Sequence, residues 1–189
     1  MNMKIISGKY KGLKLKEFPG KDIRPTSSKT REAIFDILGE AIIDTYFLDL
    51  FAGTGAIGIE ALSRGVKGVT FVEKNGKAVK IIRENMAKID TLQNINILKK
   101  DCYSALKFLQ KKQQKYDIIF LDPPYHYGFI SNVLNLIDQG SLYRENALVI
   151  IQHDKHEEPD CTLKNLSFLK KKKYGKTLLT LFSNKKVKQ

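Results

Sequence analysis

Residues 48–58 read Leu-Asp-Leu-Phe-Ala-Gly-Thr-Gly-Ala-Ile-Gly and join a β-prone run to an amphipathic one. Glycines at positions 53 and 55 let the backbone turn tightly and let a ligand approach it with no Cβ in the way. A strand, a glycine-rich turn and a helix in this order are typical of the ligand-binding end of an α/β sheet. This stretch therefore predicts a cofactor site where the first strand ends.

Acidic residues follow the strands that flank this turn. Asp49 precedes the glycines, Glu73 stands 20 residues after Gly53, and Asp101 follows the third predicted strand. A dinucleotide site sets pyrophosphate against a positive helix terminus and gains nothing from an extra carboxylate. S-adenosylmethionine instead presents an amino group, a sulfonium and ribose hydroxyls, which Asp49 and Glu73 suit, while Asp101 either reaches adenine or caps the next helix. The candidate cofactor residues are Asp49, Phe51, Gly53, Gly55, Glu73, Asp101 and Cys102.

The motif Asp122-Pro123-Pro124-Tyr125 directly follows a strand, where ligands bind in open α/β sheets. Two prolines stiffen the loop and leave its carbonyl oxygens available. Asp122 and the Pro123 carbonyl can accept both hydrogens of an exocyclic amine while Tyr125 stacks on its base. We expect these four residues to form the catalytic loop of an amine methyltransferase, whose target base is single-stranded, looped or flipped out.

Around both motifs, short β-branched runs alternate with longer amphipathic stretches, which predicts an α/β fold: a Rossmann-like, mostly parallel sheet of the S-adenosylmethionine-dependent methyltransferase type. The predicted strands are 46–51, 68–73, 95–99, 117–121 and 147–152, and the predicted helices are 56–64, 76–89, 103–110 and 128–138. Two runs around Gly175 predict a C-terminal antiparallel hairpin. A helix capped by Thr26 or Ser27 and ended by Gly39 belongs to a small N-terminal extension. We expect residues 1–40 to form that basic β-hairpin and helix extension and residues 41–189 the methyltransferase domain.

The formal charge of +13 is concentrated at the two ends of the 189-residue chain. Residues 1–31 carry +7 and residues 164–189 carry +9, whereas residues 32–163 carry −3. Lysine outnumbers arginine 28 to 5, which favours contact with phosphates over reading of bases. The alternative is that these lysines only keep the protein in solution.

Other features narrow the class of protein. No apolar run is long enough to span a bilayer and no signal peptide is visible, so we expect a cytoplasmic protein. Cys102 and Cys161 match neither a metal pair nor a disulfide framework, and the histidines show no ligand spacing, so we expect no metal. No surplus apolar helix calls for a partner, so we expect a monomer.

Together these motifs resemble the RsmD family of bacterial small-subunit rRNA methyltransferases, which modify the N2 amine of a guanine. The resemblance runs from residues 5–12 through Arg24-Pro25-Thr26, residues 31–33, 48–55, 60–65 and 71–74 to residues 120–125. It implies S-adenosylmethionine as methyl donor, and 16S rRNA in the assembled or assembling 30S subunit as substrate. It also implies that Arg24, Thr26 and Arg31 lie near incoming RNA. Lys9 and Lys11, in the first matching segment, complete the candidate RNA-binding residues.

Other functions stay open at this point. An adenine-N6 methyltransferase acting on DNA or RNA would use the same Asp-Pro-Pro-Tyr loop, although the chain shows no separate target-recognition domain. A nicotinamide-dependent oxidoreductase would use Gly53, Gly55 and Gly58, but no catalytic pair for hydride chemistry accompanies them. An RNA-binding assembly factor with a decayed cofactor loop is disfavoured by the intact Asp49, Glu73 and Asp122.

Overall fold

The fold is a seven-stranded sheet with helices on both faces, here described from a computed structural model. The structure describes residues 3–19, 27–91, 94–124, 129–159 and 162–184. The strand order is β3-β2-β1-β4-β5-β7-β6, with β1 to β5 parallel to one another and β7 antiparallel to both β5 and β6. Chain order reverses between β1 and β4, which creates the crevice where ligands bind in sheets of this kind.

The elements follow the predicted order. The strands are β1 (Tyr46–Asp49), β2 (Gly68–Val72), β3 (Asn94–Leu98), β4 (Tyr116–Leu121), β5 (Tyr143–Asp154), β6 (Ser167–Tyr174) and β7 (Thr177–Ser183). The helices are α1 (Ser28–Leu38), α2 (Ala56–Ser63), α3 (Gly76–Met86), α4 (Cys102–Lys111) and α5 (Phe129–Gln139), with a 3-10 turn at Gly39–Ile42. The α/β class and the C-terminal antiparallel hairpin are confirmed.

Local chemistry sets the ends of these elements. The Ser27 hydroxyl accepts a hydrogen bond from the Thr30 backbone N–H and caps α1, and Gly39 ends that helix at a φ of 51°. Strand β5 begins at Tyr143, four residues earlier than expected, because Tyr143 pairs with Tyr116 across a register shift. The first residues of β5 include the polar Arg144 and Glu145, so the sequence there lacks the apolar pattern of a buried strand. Backbone pairing between strands does not require buried side chains, and the pattern therefore did not reveal it.

Apolar side chains form one core on each face of the sheet. On one face, α1, α2 and residues of the N-terminal extension pack against β1, β2, β4, β5 and β7. On the other face, α4 and α5 pack against the alternate residues of the same strands. Because successive strand residues point to opposite faces, strands covered on both sides read as continuous apolar runs, as 118–121 and 149–151 do.

The described part of the extension, residues 3–19, is fastened to α2 and α3. Glu60, which is fully buried, accepts hydrogen bonds from the Ile6 and Ser7 backbone N–H groups at 2.8 and 3.0 Å. At Gly8, with a φ of 82°, an added Cβ would lie 1.8 Å from the Ser63 carbonyl oxygen, so only glycine permits this approach. The expected β-hairpin is reduced, in the described residues, to one antiparallel bridge between Lys4 and Lys14. The division at residue 40 stays a prediction.

Candidate active site

The candidate active site lies at the carboxyl ends of β1, β2 and β4. Asp49 is the last residue of β1, Glu73 follows the last residue of β2, and Asp122 follows the last residue of β4. Strand β1 lies between the other two in the sheet, so the carboxylate of Asp49 lies between those of Glu73 and Asp122. Three acids predicted from separate motifs are therefore brought to one edge.

Asp49 is the most deeply buried of the three acids, with 1% of its surface exposed. Its Oδ2 accepts a hydrogen bond from the Gly58 backbone N–H at 3.2 Å, while its buried Oδ1 has no hydrogen-bond partner. Burial, with the charges of Asp122 and Glu73 adding to it, raises the pKa of Asp49 to about 7. An unsatisfied buried acceptor of this kind suits a ligand that brings positive charge or hydrogen-bond donors.

Glu73 links the glycine turn to the start of α3. One carboxylate oxygen accepts a hydrogen bond from the Gly53 N–H at 2.9 Å and the other from the Asn75 N–H at 2.8 Å. Each carboxylate oxygen has two lone pairs, so Glu73 keeps the capacity to accept bonds from ribose hydroxyls. The φ values of Gly53 and Gly55, 53° and 80°, explain why glycine stands at both positions of the turn.

The remaining candidate cofactor residues occupy distinct surroundings. Asp101 caps α4 by accepting a hydrogen bond from the Ser104 N–H at 3.0 Å, and its bonds to Ser104 lower its pKa. Cys102 is buried, so its side chain belongs to the core. The same burial raises the pKa of its thiol to about 11. Phe51 packs edge-on against Phe129 of α5, with ring centroids 5.7 Å apart. The capping role predicted for Asp101 is present in the structure, and its adenine contact stays a prediction.

The Asp-Pro-Pro loop begins at the end of β4, beside β5. Asp122 is half-buried, Pro123 is buried and Pro124 is exposed, while Tyr125 lies outside the described residues. The Asp122 Oδ2 accepts a hydrogen bond from the Gln152 Nε2 at 3.0 Å. Gln152 lies one residue beyond Ile151, which pairs with Leu121, so neighbouring strands bring the amide and the carboxylate together.

The candidate RNA-binding residues are dispersed. Lys9 and Lys11 are exposed on the extension, and the Lys9 Nζ donates a hydrogen bond to the Asp90 carbonyl oxygen at 3.3 Å.

Arg31 is 2% exposed; its Nη2 donates a hydrogen bond to the Lys4 carbonyl oxygen at 2.6 Å, and its Nε lies 3.9 Å from Glu60. Arg31 ties α1 to the extension, and Glu60 supplies the opposite charge beside its buried guanidinium. Its contact with RNA stays a prediction. Arg24 and Thr26 lie outside the described residues.

Two residues that the sequence analysis missed support the site. Asn85, fully buried on α3, accepts a hydrogen bond from the Lys16 N–H and donates hydrogen bonds to the Lys16 and Thr54 carbonyl oxygens, which joins the extension to the glycine turn. Its place beside Ala78, Ile81 and Ile82 on the buried face of α3 was the available signal. Gln152 offered no signal, because nothing local to it places it next to Asp122.

Strand β6 forms the edge of the sheet and carries Lys170 to Lys173 in succession. Among the described residues, Lys171 is the only one of the four with an ion pair, to Glu158 at 2.8 Å. Tyr174 pairs with Thr177, which in turn pairs with Asp154 of β5, so β6 ends at the same edge of the sheet as the three acids. With adjacent strands about 4.8 Å apart, β6 lies about 14 Å from β4.

The described residues lack two features that mark other classes of protein. No three histidine, cysteine, aspartate or glutamate side chains gather there in a way that could hold a metal ion. No helix within those residues has the length and apolar character to cross a membrane.

Comparison with known proteins places these features in a family. The family model described as Conserved hypothetical protein 95 matches residues 3–183. The chain is 35% identical over 171 residues to ribosomal RNA small subunit methyltransferase D of Buchnera aphidicola, covering 89% of this chain and 86% of that protein. It is 31% identical over 185 residues to the protein of the same name from Haemophilus influenzae, covering 96% and 94%. The solved structure of yhhF from Escherichia coli is similar with a TM-score of 0.84 and 27% identity, covering 97% of this chain and 98% of that one.

Proposed function

The chain belongs to the RsmD family, whose model is described as Conserved hypothetical protein 95, and on that premise we propose how it acts on small-subunit rRNA. It is an S-adenosylmethionine-dependent rRNA methyltransferase, and we propose that it methylates the exocyclic N2 amine of a guanine in 16S rRNA. The observation that carries the proposal is the meeting of Asp49, Glu73 and Asp122 at the carboxyl edge, where the sheet order reverses.

The residues present fit this cofactor. The buried, unpartnered Asp49 Oδ1 suits a cationic group, and the acidic surroundings exclude the phosphates of a dinucleotide. Glu73 keeps capacity for ribose hydroxyls while it holds the Gly53 N–H. S-adenosylmethionine, when bound, supplies an electrophilic methyl group on a positively charged sulfur.

Asp122 and Pro123 would hold the target amine. The lone pair of a guanine amine is delocalised into the ring, so the nitrogen is a poor nucleophile. Hydrogen bonds from its two N–H groups to the Asp122 carboxylate and the Pro123 carbonyl favour a pyramidal nitrogen whose lone pair faces the methyl group. Asp122 would also accept the proton that the amine loses when it takes up the methyl group.

The lysines of β6 supply a surface for the substrate. Lys172 and Lys173 are exposed, and β6 and β7 carry no acidic residue between them. Phosphate neutralisation by lysine provides affinity without base recognition. The shape of the rRNA, held in the assembling or assembled subunit, would then present the base. We further propose that the protein acts as a monomer in the cytoplasm, where its substrate is made.

The test supplies the protein with methyl-labelled S-adenosylmethionine and one of three substrates: undermodified 30S subunits, protein-free 16S rRNA or duplex DNA. The labelled nucleoside is then identified by mass spectrometry. The proposal expects N2-methylguanosine from the rRNA of the subunits. N6-methyladenine from any substrate would retain the Asp122 chemistry and overturn the guanine assignment. The absence of label from both the 30S subunits and the protein-free 16S rRNA would overturn the rRNA substrate.

A further inference from the structure

The Gln152 side chain lies beside the Asp122 carboxylate at the end of β5. A carboxylate accepts hydrogen bonds and donates none, so the contact of 3.0 Å must be made by the amide Nε2. The amide orientation is thereby assigned, and Oε1 points away from Asp122. That oxygen is buried and has no hydrogen-bond partner.

An unsatisfied buried carbonyl destabilises the folded state. Leucine or methionine has a similar volume and would occupy this position without that cost. The residue that pairs with Gln152 across the strands is the apolar Leu179 of β7. Gln152 as a residue is only partly buried, but its Oε1 is buried without a partner, so packing does not explain the polar side chain at this position, and such groups mark functional sites.

Resting on the function proposed above, we infer that Gln152 is a positioning residue that holds Asp122 in the orientation needed to receive the target amine. Asp122 lies close enough to the buried Asp49 for its charge to raise the pKa of that acid, so a second acidic group stands beside it in the crevice. A lysine or arginine could hold Asp122 in place but would neutralise its carboxylate. The neutral amide of Gln152 fixes one oxygen and leaves the negative charge available to the amine and its proton.

The test is the variant Gln152→Leu, which removes the donor and keeps the volume. We expect kcat for methyl transfer to fall roughly tenfold or more, because a small misplacement of a catalytic group is costly. The Kd for S-adenosylmethionine and the KM for the RNA substrate should stay within about twofold of wild type, since neither depends on this contact. The melting temperature should be unchanged or higher, because the unsatisfied oxygen is gone. A residue of merely structural importance would lose stability and activity together.

A matched control is available at the opposite edge of the sheet. The Asn184 Nδ2 donates a hydrogen bond to the Arg144 carbonyl oxygen at 2.8 Å, and its Oδ1 is likewise buried without a partner. The variant Asn184→Leu removes a similar amide far from Asp122 and should leave kcat unchanged. An equal loss of kcat in both variants would overturn the inference, because the effect would then be a general consequence of removing buried amides.

A double-mutant cycle separates this inference from the proposed function. If Gln152 acts through Asp122, adding Gln152→Leu to Asp122→Ala should produce no further loss of kcat. Additive losses, or a wild-type kcat in Gln152→Leu while Asp122→Ala is inactive, would overturn the role of Gln152 alone. A wild-type kcat in Asp122→Ala would overturn the proposed role of Asp122 and the inference with it.

Discussion

At the carboxyl ends of β1, β2 and β4, acidic side chains are held by backbone and amide hydrogen bonds, whereas the lysines of β6 extend from an edge strand. Asp49 is 1% exposed and Glu73 uses both oxygens, while Lys172 and Lys173 are exposed. The two regions lie along one edge of the sheet, but the side chains of the acids are positioned more precisely than those of the lysines. Chemistry requires groups fixed within a fraction of an ångström, whereas flexible ammonium groups can follow a phosphate backbone.

The first prediction removes the carboxylate that we propose to hold the target amine. Asp122→Ala should lower kcat at least about 100-fold, because the amine loses an acceptor for its N–H groups and for its proton. Calorimetry should find an affinity for S-adenosylmethionine within about twofold of wild type. A large loss of that affinity would mean that Asp122 binds the cofactor. The acidic region would then act in binding, as the lysines of β6 do, and not in chemistry alone.

The second prediction concerns the pH dependence of Asp49. Burial raises its pKa to about 7, above the value of about 3.9 in an unfolded chain, so the folded protein binds this proton more tightly between those values. The stability of the unliganded protein should therefore decrease as pH rises from about 4 to 7. A cationic ligand prefers the ionised form, so affinity for S-adenosylmethionine should rise about tenfold from pH 6 to pH 8.

Calorimetry at both pH values measures this rise, and Asp49→Asn is the control. The variant should bind S-adenosylmethionine weakly at both pH values and show little change between them. A tenfold rise that persists in Asp49→Asn would assign the titration to another group.

The third prediction concerns the basic strand. Replacing Lys170, Lys172 and Lys173 with serine should weaken binding of the rRNA substrate several-fold at physiological salt and reduce the slope of log K against log salt by about 2. The value of kcat at saturating RNA should not change, because these side chains hold the substrate without touching the amine. Filter binding across a salt series measures both effects.

A matched control removes three exposed lysines that lie outside the hairpin of β6 and β7. Lys107, Lys111 and Lys112 lie on or directly after α4, and their replacement with serine changes the net charge by the same amount. Equal effects of the two triple variants would mean that net charge alone determines binding. Aggregation of the β6 variant with unchanged RNA affinity would instead assign those lysines to protection of an edge strand.

The smallest predicted effect tests how the glycine turn is supported. Asn85→Ala removes the hydrogen bonds to Lys16 and Thr54 and leaves their backbone groups without partners, which should destabilise the fold by about 1–3 kcal/mol. Affinity for S-adenosylmethionine should decrease by a few-fold, since the turn loses a support. Denaturant unfolding and calorimetry measure the two changes, and unchanged affinity would show that Glu73 alone keeps the turn in place.

The parts of this fold that depend on local pattern were predictable from the sequence. Three features each have a pattern within a few neighbouring residues: glycines that need a positive φ, strands that are buried on both faces, and a loop that prolines stiffen. The order of the elements and the placement of Asp49, Glu73 and Asp122 at strand ends follow from those patterns. The bounds of β5 did not, because its first residues pair without being buried.

Contacts between distant residues could not be predicted in the same way. The pairing of Gln152 with Asp122 depends on which strand lies beside β4, and no local pattern encodes it. The position of Arg31 depends on Glu60, 29 residues further along the chain, whose buried charge holds the guanidinium inside. Sequence charge therefore indicated a polyanionic partner but could not separate the buried Arg31 from the exposed lysines of β6.

The most direct test compares Asp122→Ala with the triple serine variant of Lys170, Lys172 and Lys173 in one experiment. Single-turnover methyl transfer to 30S subunits is followed over a range of enzyme concentrations, which yields a maximal rate and a half-saturating concentration for each protein. The account predicts a rate at least about 100-fold lower with unchanged half-saturation for Asp122→Ala, and an unchanged rate with weaker half-saturation for the lysine variant. A loss of maximal rate in the lysine variant, or of substrate affinity alone in Asp122→Ala, would contradict it.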